Sequence, residues 1–299
     1  MSRTYRATGI NLKSMPMGEA DRLLTILTRE HGLIRALAMG SRKHQSSLSG
    51  RSGLFVVNDL LIAKGRSLDK VTQAETLESY PKLSQDLKKL TASQYLAELC
   101  LCQALSEQPQ EELFVALNRQ LKQLEQAPSD LILPYLNYAI FQLLRLEGVA
   151  PQVYQCCMTQ KPLQPDISDH EWKAGFSLSA GGGLTFEALQ QLLQKSRSPI
   201  PRHQKFVSAE AGTRYASAKG KRSAQLHHPI GAVELQLLQA IAAPAHPAET
   251  SAIQPQTPDF SRLAASNADW LKIELLLRQY AEYHFDRPIR SAALMNTCF

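Results

Sequence analysis

The sequence lacks most of the features that mark specialised classes of protein. No uncharged apolar run approaches the roughly 18–20 residues that cross a bilayer. The opening Met-Ser-Arg-Thr-Tyr-Arg leads into no short apolar core of the kind a secretory signal carries. The expectation is a cytoplasmic chain with no membrane partner. Five cysteines, an odd number in a chain of 299 residues, fit free thiols in a reducing compartment better than a disulfide framework. Aromatic residues make up only 7% of the chain, and the first 80 residues hold just Tyr5, Phe55 and Tyr80.

Catalytic motifs are missing as well. A Walker-type phosphate loop needs glycine five residues before a Gly-Lys pair, but before Gly220-Lys221 that position is Tyr215. No Gly-x-Ser-x-Gly elbow occurs. His170-Glu171 begins like a zinc-protease helix, but Ala174 stands where the second histidine belongs. His227 and His228 are adjacent, would point about 100° apart on a helix, and read as surface residues. A structural zinc site wants two Cys-x-x-Cys pairs. Cys156-Cys157 is followed by Thr159 and Gln160, neither a ligand, and no second pair follows Gly181-Gly182-Gly183. Cys100 and Cys102 read as filling for a helical core, and Cys298 lies at the C-terminus. The sequence therefore gives no catalytic residues, no metal ligands and no cofactor, and is not that of an enzyme.

What is present is a globular composition, 44% hydrophobic and 20% charged, long enough for two or three domains. The net charge of +6 is unevenly spread. Residues 1–80 carry 12 Lys/Arg against 7 Asp/Glu, and residues 195–229 carry 8 against 1. Residues 81–194 hold 8 against 12, and residues 230–299 hold 5 against 7. Two basic sections separated by acidic ones point to a polyanionic partner, against the plain alternative of a solvated basic surface.

The first 80 residues divide into five short runs bounded by turn signals: Tyr5–Met15, Arg22–Thr28, Leu33–Met39, Leu54–Ala63 and about Asp69–Tyr80. Between the third and fourth lies a basic, Ser-rich loop, Ser41–Ser52, of the composition that reads as mobile. Five strands of this length suit a small closed barrel of the OB type, and an SH3-like barrel fits the same spacing almost as well. After Pro81 the apolar period becomes helical. Leu113, Leu117, Leu121 and Leu124 mark one helix, Leu131–Glu147 another, and Asn267–Phe285 the last strong one, with shorter helices over Phe186–Gln194 and Gly231–Ala242. Residues 151–185 read as irregular. Ser196–His228 reads as a long loop or disordered arm, and Pro244, Pro247, Pro255 and Pro258 punctuate a linker.

Four segments, taken in order, resemble the RecO family of bacterial DNA repair proteins. They are Gly9-Ile10-Asn11-Leu12 with Gly18-Glu19-Ala20-Asp21-Arg22-Leu23-Leu24 and Leu27-Thr28-Arg29-Glu30-His31-Gly32; the basic Gly40-Ser41-Arg42-Lys43 leading to Phe55; Thr72–Tyr80 running into Tyr95-Leu96-Ala97-Glu98-Leu99; and Tyr280–Phe285 with Arg287-Pro288-Ile289-Arg290-Ser291. The resemblance is strong over residues 1–100, fair at the tail and weak between about 155 and 260. It implies an α+β chain: a five-stranded OB barrel over 1–80, a helical domain over 81–150 plus 186–299, and a zinc-ribbon-like insertion over 151–185. This sequence lacks the zinc-ligand set of that insertion, and the basic arm 196–228 departs from the family pattern. The resemblance further implies binding of single- and double-stranded DNA, annealing of complementary strands, and cooperation with RecR and the single-strand binding protein SSB to load the recombinase RecA.

Annealing is limited by phosphate repulsion, so the chemistry asks for exposed Lys and Arg with little base readout. The barrel section supplies Arg35, Arg42, Lys43, Arg51, Lys64, Arg66 and Lys70 as candidate DNA contacts. Arg22 is a weaker candidate, since its acidic turn suits a structural ion pair. Tyr5 and Phe55 are either core residues or stacking platforms for unpaired bases. The alternative reading is an OB-fold RNA-binding or protein-adaptor role without annealing.

Overall fold

A computed structural model gives the architecture and describes residues 4–197, 226–243, 259–263 and 265–299. The basic arm lies outside the described residues over 198–225, as does the proline-punctuated linker over 244–258. Two compact units form: residues 1–149 with 259–299, and residues 150–258.

The first unit opens with a closed barrel of β1 (Thr4–Met17), β2 (Asp21–Thr28), β3 (Gly32–Ala38), β4 (Val57–Ala63) and β5 (Asp69–Glu78), in the order β1-β2-β3-β5-β4. This is the OB arrangement. β1 is long enough to serve two neighbours: Thr4–Ile10 pairs with β4, and Gly9–Met17 pairs with β2. A register shift between Asn11 and Lys13 bends the strand from one partner towards the other. Alternation along β2, β3 and β4 sends Leu24, Ile26, Ala36, Ala38, Leu60 and Ile62 into the barrel, where Ala7 and Val71 join them.

The connection from β3 to β4 is not the loose segment its composition suggests. Leu48 enters the barrel core. Buried Asn11 donates from Nδ2 to the carbonyls of Arg51 and Gly53, both at 2.8 Å, and Asn58 Nδ2 donates to Arg51 O at 3.0 Å. Phe55 N donates to Asn11 O at 2.9 Å. Side-chain amides from two strands thus take the place of a local hydrogen-bond ladder, and a short 3₁₀ turn forms at Gly50–Ser52.

A turn at Pro81–Ser84 leads to α1 (Leu87–Gln103), capped by Asp86, whose Oδ1 accepts from the amides of Lys88 and Lys89. α2 (Glu111–Gln126) and α3 (Ile132–Leu146) follow, and α3 is buried along most of its length. The barrel grips the connection between α1 and α2 closely. Gly32 lies in the left-handed region at φ +64, and a Cβ there would sit 2.2 Å from Leu105 O and 2.4 Å from Gln108 O. Arg29 pairs with Glu111 at 2.6 Å.

The second unit is built on a three-stranded antiparallel sheet in the order β7-β6-β8, with β6 (Lys173–Ser177), β7 (Gly182–Thr185) and β8 (His227–Gly231). Strands therefore occupy part of the stretch that reads as irregular. His227 and His228 are not free surface residues: both are partly buried in β8, and His227 Nδ1 lies 2.9 Å from Ser177 Oγ. The helices α4 (Phe186–Arg197) and α5 (Ala232–Ala242) belong to this unit. From α5, Gln239 Nε2 donates to the carbonyls of Val153 and Leu163, each at 2.9 Å.

The chain then returns to the first unit with α6 (Asn267–Phe285) and a short α7 (Met295–Cys298). Asn137 of α3 donates to Trp270 O of α6 at 3.1 Å, and Phe260 packs edge-on against Trp270 and Tyr135. No helix among the described residues is long and apolar enough to cross a membrane.

Candidate nucleic-acid interface

The register of β1, β2 and β3 sets out the barrel's outer face one rung at a time. Lys13 pairs with Thr25, and Thr25 with Arg35. One rung on, Met15 pairs with Leu23, Leu23 with Leu37, and Leu37 with Lys70 of β5. The next carries Met17 opposite Asp21. Because side chains alternate, Lys13, Arg35 and Lys70 project from the side opposite the barrel core.

The end of this face is fixed by turn chemistry. Asp21 Oδ1 accepts from Gly40 N at 2.7 Å, which draws the end of β3 against the β1–β2 turn. Arg42 completes the tie: its amide donates to Ala20 O and its Nη1 to Gly18 O, both at 2.8 Å. The guanidinium stays exposed while held at the rim. Lys43, also exposed, lines a shallow depression of about 500 Å³ with His44, Gln45 and Ser46.

The barrel thus brings Arg35, Arg42 and Lys70 to the borders of one face, with Lys43 on the adjoining loop. Arg51 stands apart: its Nη1 donates to Ser47 O within its own turn, while its carbonyl receives Asn11 and Asn58. Lys64 lies 3.7 Å from Glu107 and 6.0 Å from the Tyr5 ring centroid. Arg66 is exposed on the β4–β5 turn. Arg22 reaches Ser14 Oγ at 3.1 Å across the β1–β2 pair, a hydroxyl rather than the carboxylate its acidic turn suggested.

Neither aromatic candidate is a platform. Phe55 is 3% exposed and points into the protein from a left-handed backbone, φ +60. Tyr5 is half-buried, donates to Asp69 Oδ2 at 2.6 Å and packs edge-on against His31. Burial first, and then the Asp69 carboxylate, raise its phenol well above the ordinary value.

Lys13 was missed by sequence reasoning. The signal for it was the alternation of Lys13, Met15 and Met17 on one side of β1. The lysine also borders a groove of about 590 Å³ lined by Leu12, Leu54, Ala97, Glu98 and Arg287. Burial works to raise the Glu98 carboxyl, but the Ser291 hydroxyl and amide outweigh it and, with Lys13 nearby, hold the group below its ordinary value.

In the zinc-ribbon-like insertion, Cys156 is fully buried, and its amide donates to Lys161 O at 2.8 Å. Burial alone would raise this thiol; the Thr159 hydroxyl and the amides of Thr185, Thr159 and Met158 lower it and leave it below its usual value. Thr185 Oγ1 is itself engaged by Ala188 N at 3.3 Å. Among the described residues, no three His, Cys, Asp or Glu side chains stand close enough to share an ion. Without such a group, the described residues do not fit a structural zinc site.

The architecture defines a class: an OB-barrel protein extended by a helical domain, with a basic-bordered outer barrel face. Sequence comparison identifies the family. A family described as "Recombination protein O N terminal" matches residues 1–80, and one described as "Recombination protein O C terminal" matches residues 84–214. The chain is 49% identical to the DNA repair protein RecO of Nostoc sp. and 51% identical to that of Cyanothece sp., in each case over all of this chain and 97% of the relative. It is 52% identical to the RecO of Acaryochloris marina, over all of this chain and 96% of that protein. The chain belongs to the RecO family of DNA repair and recombination proteins.

Proposed function

We propose that this protein is a recombination mediator that binds single- and double-stranded DNA through their phosphates and anneals complementary strands. In this reading it acts with RecR and SSB to load RecA, and catalyses no reaction of its own. The observation that carries the proposal is the placement of Lys13, Arg35, Arg42 and Lys70 around one barrel face. Two strands approach each other only when their charge is neutralised. Cations that grip the backbone and leave base edges free allow pairing to proceed.

Four phosphate contacts on a single strand predict a loss of roughly 50-fold in affinity between 50 and 200 mM salt. The test is annealing of SSB-coated complementary DNA strands at several salt concentrations without nucleotide. Salt-sensitive annealing, reduced by the charge reversals Arg35→Glu, Arg42→Glu and Lys70→Glu, supports the reading. Annealing that is absent, or affinity nearly flat in salt, overturns it. Tighter binding to RNA than to single-stranded DNA would favour an RNA-binding role.

A further inference from the structure

The C-terminal tail, residues 286–299, carries only short helical turns, so its backbone needs partners from other elements. Three ionisable side chains supply them. Glu282 Oε1 of α6 accepts from Ile289 N at 2.8 Å. Glu98 Oε2 of α1 accepts from Ser291 N at 2.7 Å and from Ser291 Oγ at 2.6 Å. Arg278 Nη1 of α6 donates to Ala292 O at 3.1 Å. The tail in turn walls the groove of about 590 Å³, to which it brings Arg287 and Arg290.

Of these three anchors, Arg278 has a further partner. Its Nε lies 3.6 Å from Oε1 of Glu274, one turn back on α6. Glu274 is 1% exposed, a rare placement for a carboxyl group. Tyr95 of α1, also fully buried, faces the same carboxyl. On α6 itself the charges acting on Glu274 are Arg278 and Glu282, while Lys272 is turned to Asp269. On α1, Glu98 is turned to Ser291, and Lys89 to Glu125 O. From α3, Tyr135 and Tyr138 pack on Phe260, and Arg145 lies over its own Phe141 ring. The tail meets the cluster through the Ala292 carbonyl.

We propose that Glu274, Arg278 and Tyr95 form a proton-responsive clasp, in which the charge on Glu274 orients Arg278 to strap the C-terminal tail against the groove. An ionised Glu274 holds the guanidinium from its Nε side and leaves Nη1 aimed at Ala292 O. A neutral Glu274 removes that pull and lets the guanidinium turn away from the tail. The charge is costly to keep there. Burial lifts the carboxyl to about 7, against the pull of Arg278 and Tyr95 and with Glu282 adding to the rise. The clasp therefore sets two demands against each other. The proton favours the fold as a whole, and the charge secures the tail. Because the folded value lies above the ordinary one of 4.5, the stability owed to the proton is complete below that value and is lost as pH rises through about 7. Strapping of the tail runs the other way and is gained over the same rise.

The test follows both quantities in the full chain from about pH 5 to pH 8. Thermal melting reads the fold, and hydrogen exchange of residues 286–299, corrected for its intrinsic pH dependence, reads the tail. Glu274→Gln keeps the shape of the side chain and stays neutral. At pH 8 it should melt about 2–5 °C above wild type, a gap that narrows towards zero by pH 5. Its tail should exchange about three- to tenfold faster than the wild-type tail at pH 8 and equally fast at pH 5. Wild type repeats the test without a substitution, which keeps it decisive if the variant folds poorly. Its tail protection should rise about three- to tenfold between pH 5 and pH 8. A wild-type tail whose protection does not change with pH overturns the clasp. So does a variant that melts below wild type at every pH, since the carboxyl would then be only a structural partner. A variant that melts higher yet keeps its tail protected also overturns it, because Arg278 would not need the charge.

Discussion

Two β-structures in this molecule handle their open edges by different means. The barrel has no edge: each of its five strands is paired on both sides, and the ladder closes from β4 back to β1. The sheet of the second unit ends at β7, and there irregular chain covers the edge. Gln152 N donates to Gly181 O at 2.9 Å and Gly183 N to Gln152 O at 2.7 Å, while Cys157 N reaches Gly183 O at 2.9 Å. Closure by strands puts the burden on alternating apolar side chains. Closure by a loop puts it on glycines that admit the loop and on donors and acceptors that hold it. Substitutions should therefore act through different physics in the two places.

The largest effects are expected where a backbone approaches a glycine, and there the two regions behave alike. Gly32→Ala would place a methyl 2.2 Å from Leu105 O, at φ +64. Gly182→Ala would place one 2.2 Å from Gln152 O, at φ +140. A backbone carbonyl cannot rotate away as a side chain can, so each change should cost more than about 4 kcal/mol. Thermal melting with limited proteolysis reads this directly. Gly32→Ala should open cleavage sites in the barrel, and Gly182→Ala should open them within residues 150–197. Wild-type melting in either variant would mean that the loop moves aside.

That glycine pair also shows which parts of the fold could be read in the sequence. β2 and β4 are short apolar runs bounded by turn signals, with Leu23-Leu24 and Ile26-Leu27 in one and Leu60-Leu61-Ile62 in the other, so the barrel is legible. β6, β7 and β8 read Lys-Ala-Gly-Phe-Ser, Gly-Gly-Leu-Thr and His-His-Pro-Ile-Gly. They hold one β-branched apolar residue between them, and nothing local marks them as strands. The β3–β4 connection reads as mobile because its anchors, Asn11 and Asn58, lie outside it. The helical period of α4 and α5 was plain, but a period does not name the partner an apolar face will pack against. The same holds for the candidate site. Arg35, Arg42 and Lys70 could each be picked out by charge, but only the register brings them to one face and adds Lys13.

In the barrel interior, truncation should act by leaving a cavity. Leu60 is 1% exposed among the inward side chains of four other strands. Leu60→Ala should cost about 2–5 kcal/mol, measured by urea unfolding, with the spread set by how far a closed ladder can relax around the gap. A cost below about 1 kcal/mol would show that the barrel collapses onto the void, contrary to the rigidity expected of closed pairing.

In the second unit the corresponding site is polar. Against burial, which raises it, the Cys156 thiol is lowered by the Thr159 hydroxyl and the Thr185, Thr159 and Met158 amides. If the sulfur serves as their acceptor, Cys156→Ala should cost about 1–3 kcal/mol. Cys156→Ser, which keeps an acceptor there, should recover part of the loss. If Ala and Ser cost the same, the sulfur contributes by filling space, and the two regions differ less than their hydrogen bonding suggests.

The smallest expected effect distinguishes the two regions most clearly. Incubation with a strong chelator should leave the melting profile of the second unit unchanged, and elemental analysis should find far less than one zinc per chain. A null result carries weight because of the size of the alternative. A structural zinc contributes on the order of 10 kcal/mol to the small unit that folds around it. A knuckle closed by metal would therefore show the largest change in the molecule, not the smallest. Cys156 offers one buried sulfur, the neighbouring Thr185 Oγ1 accepts from Ala188 N at 3.3 Å, and among the described residues no three His, Cys, Asp or Glu side chains gather to share an ion. A chelator-induced drop in melting temperature, with zinc near one per chain, would require a ligand set recruited from beyond the described residues.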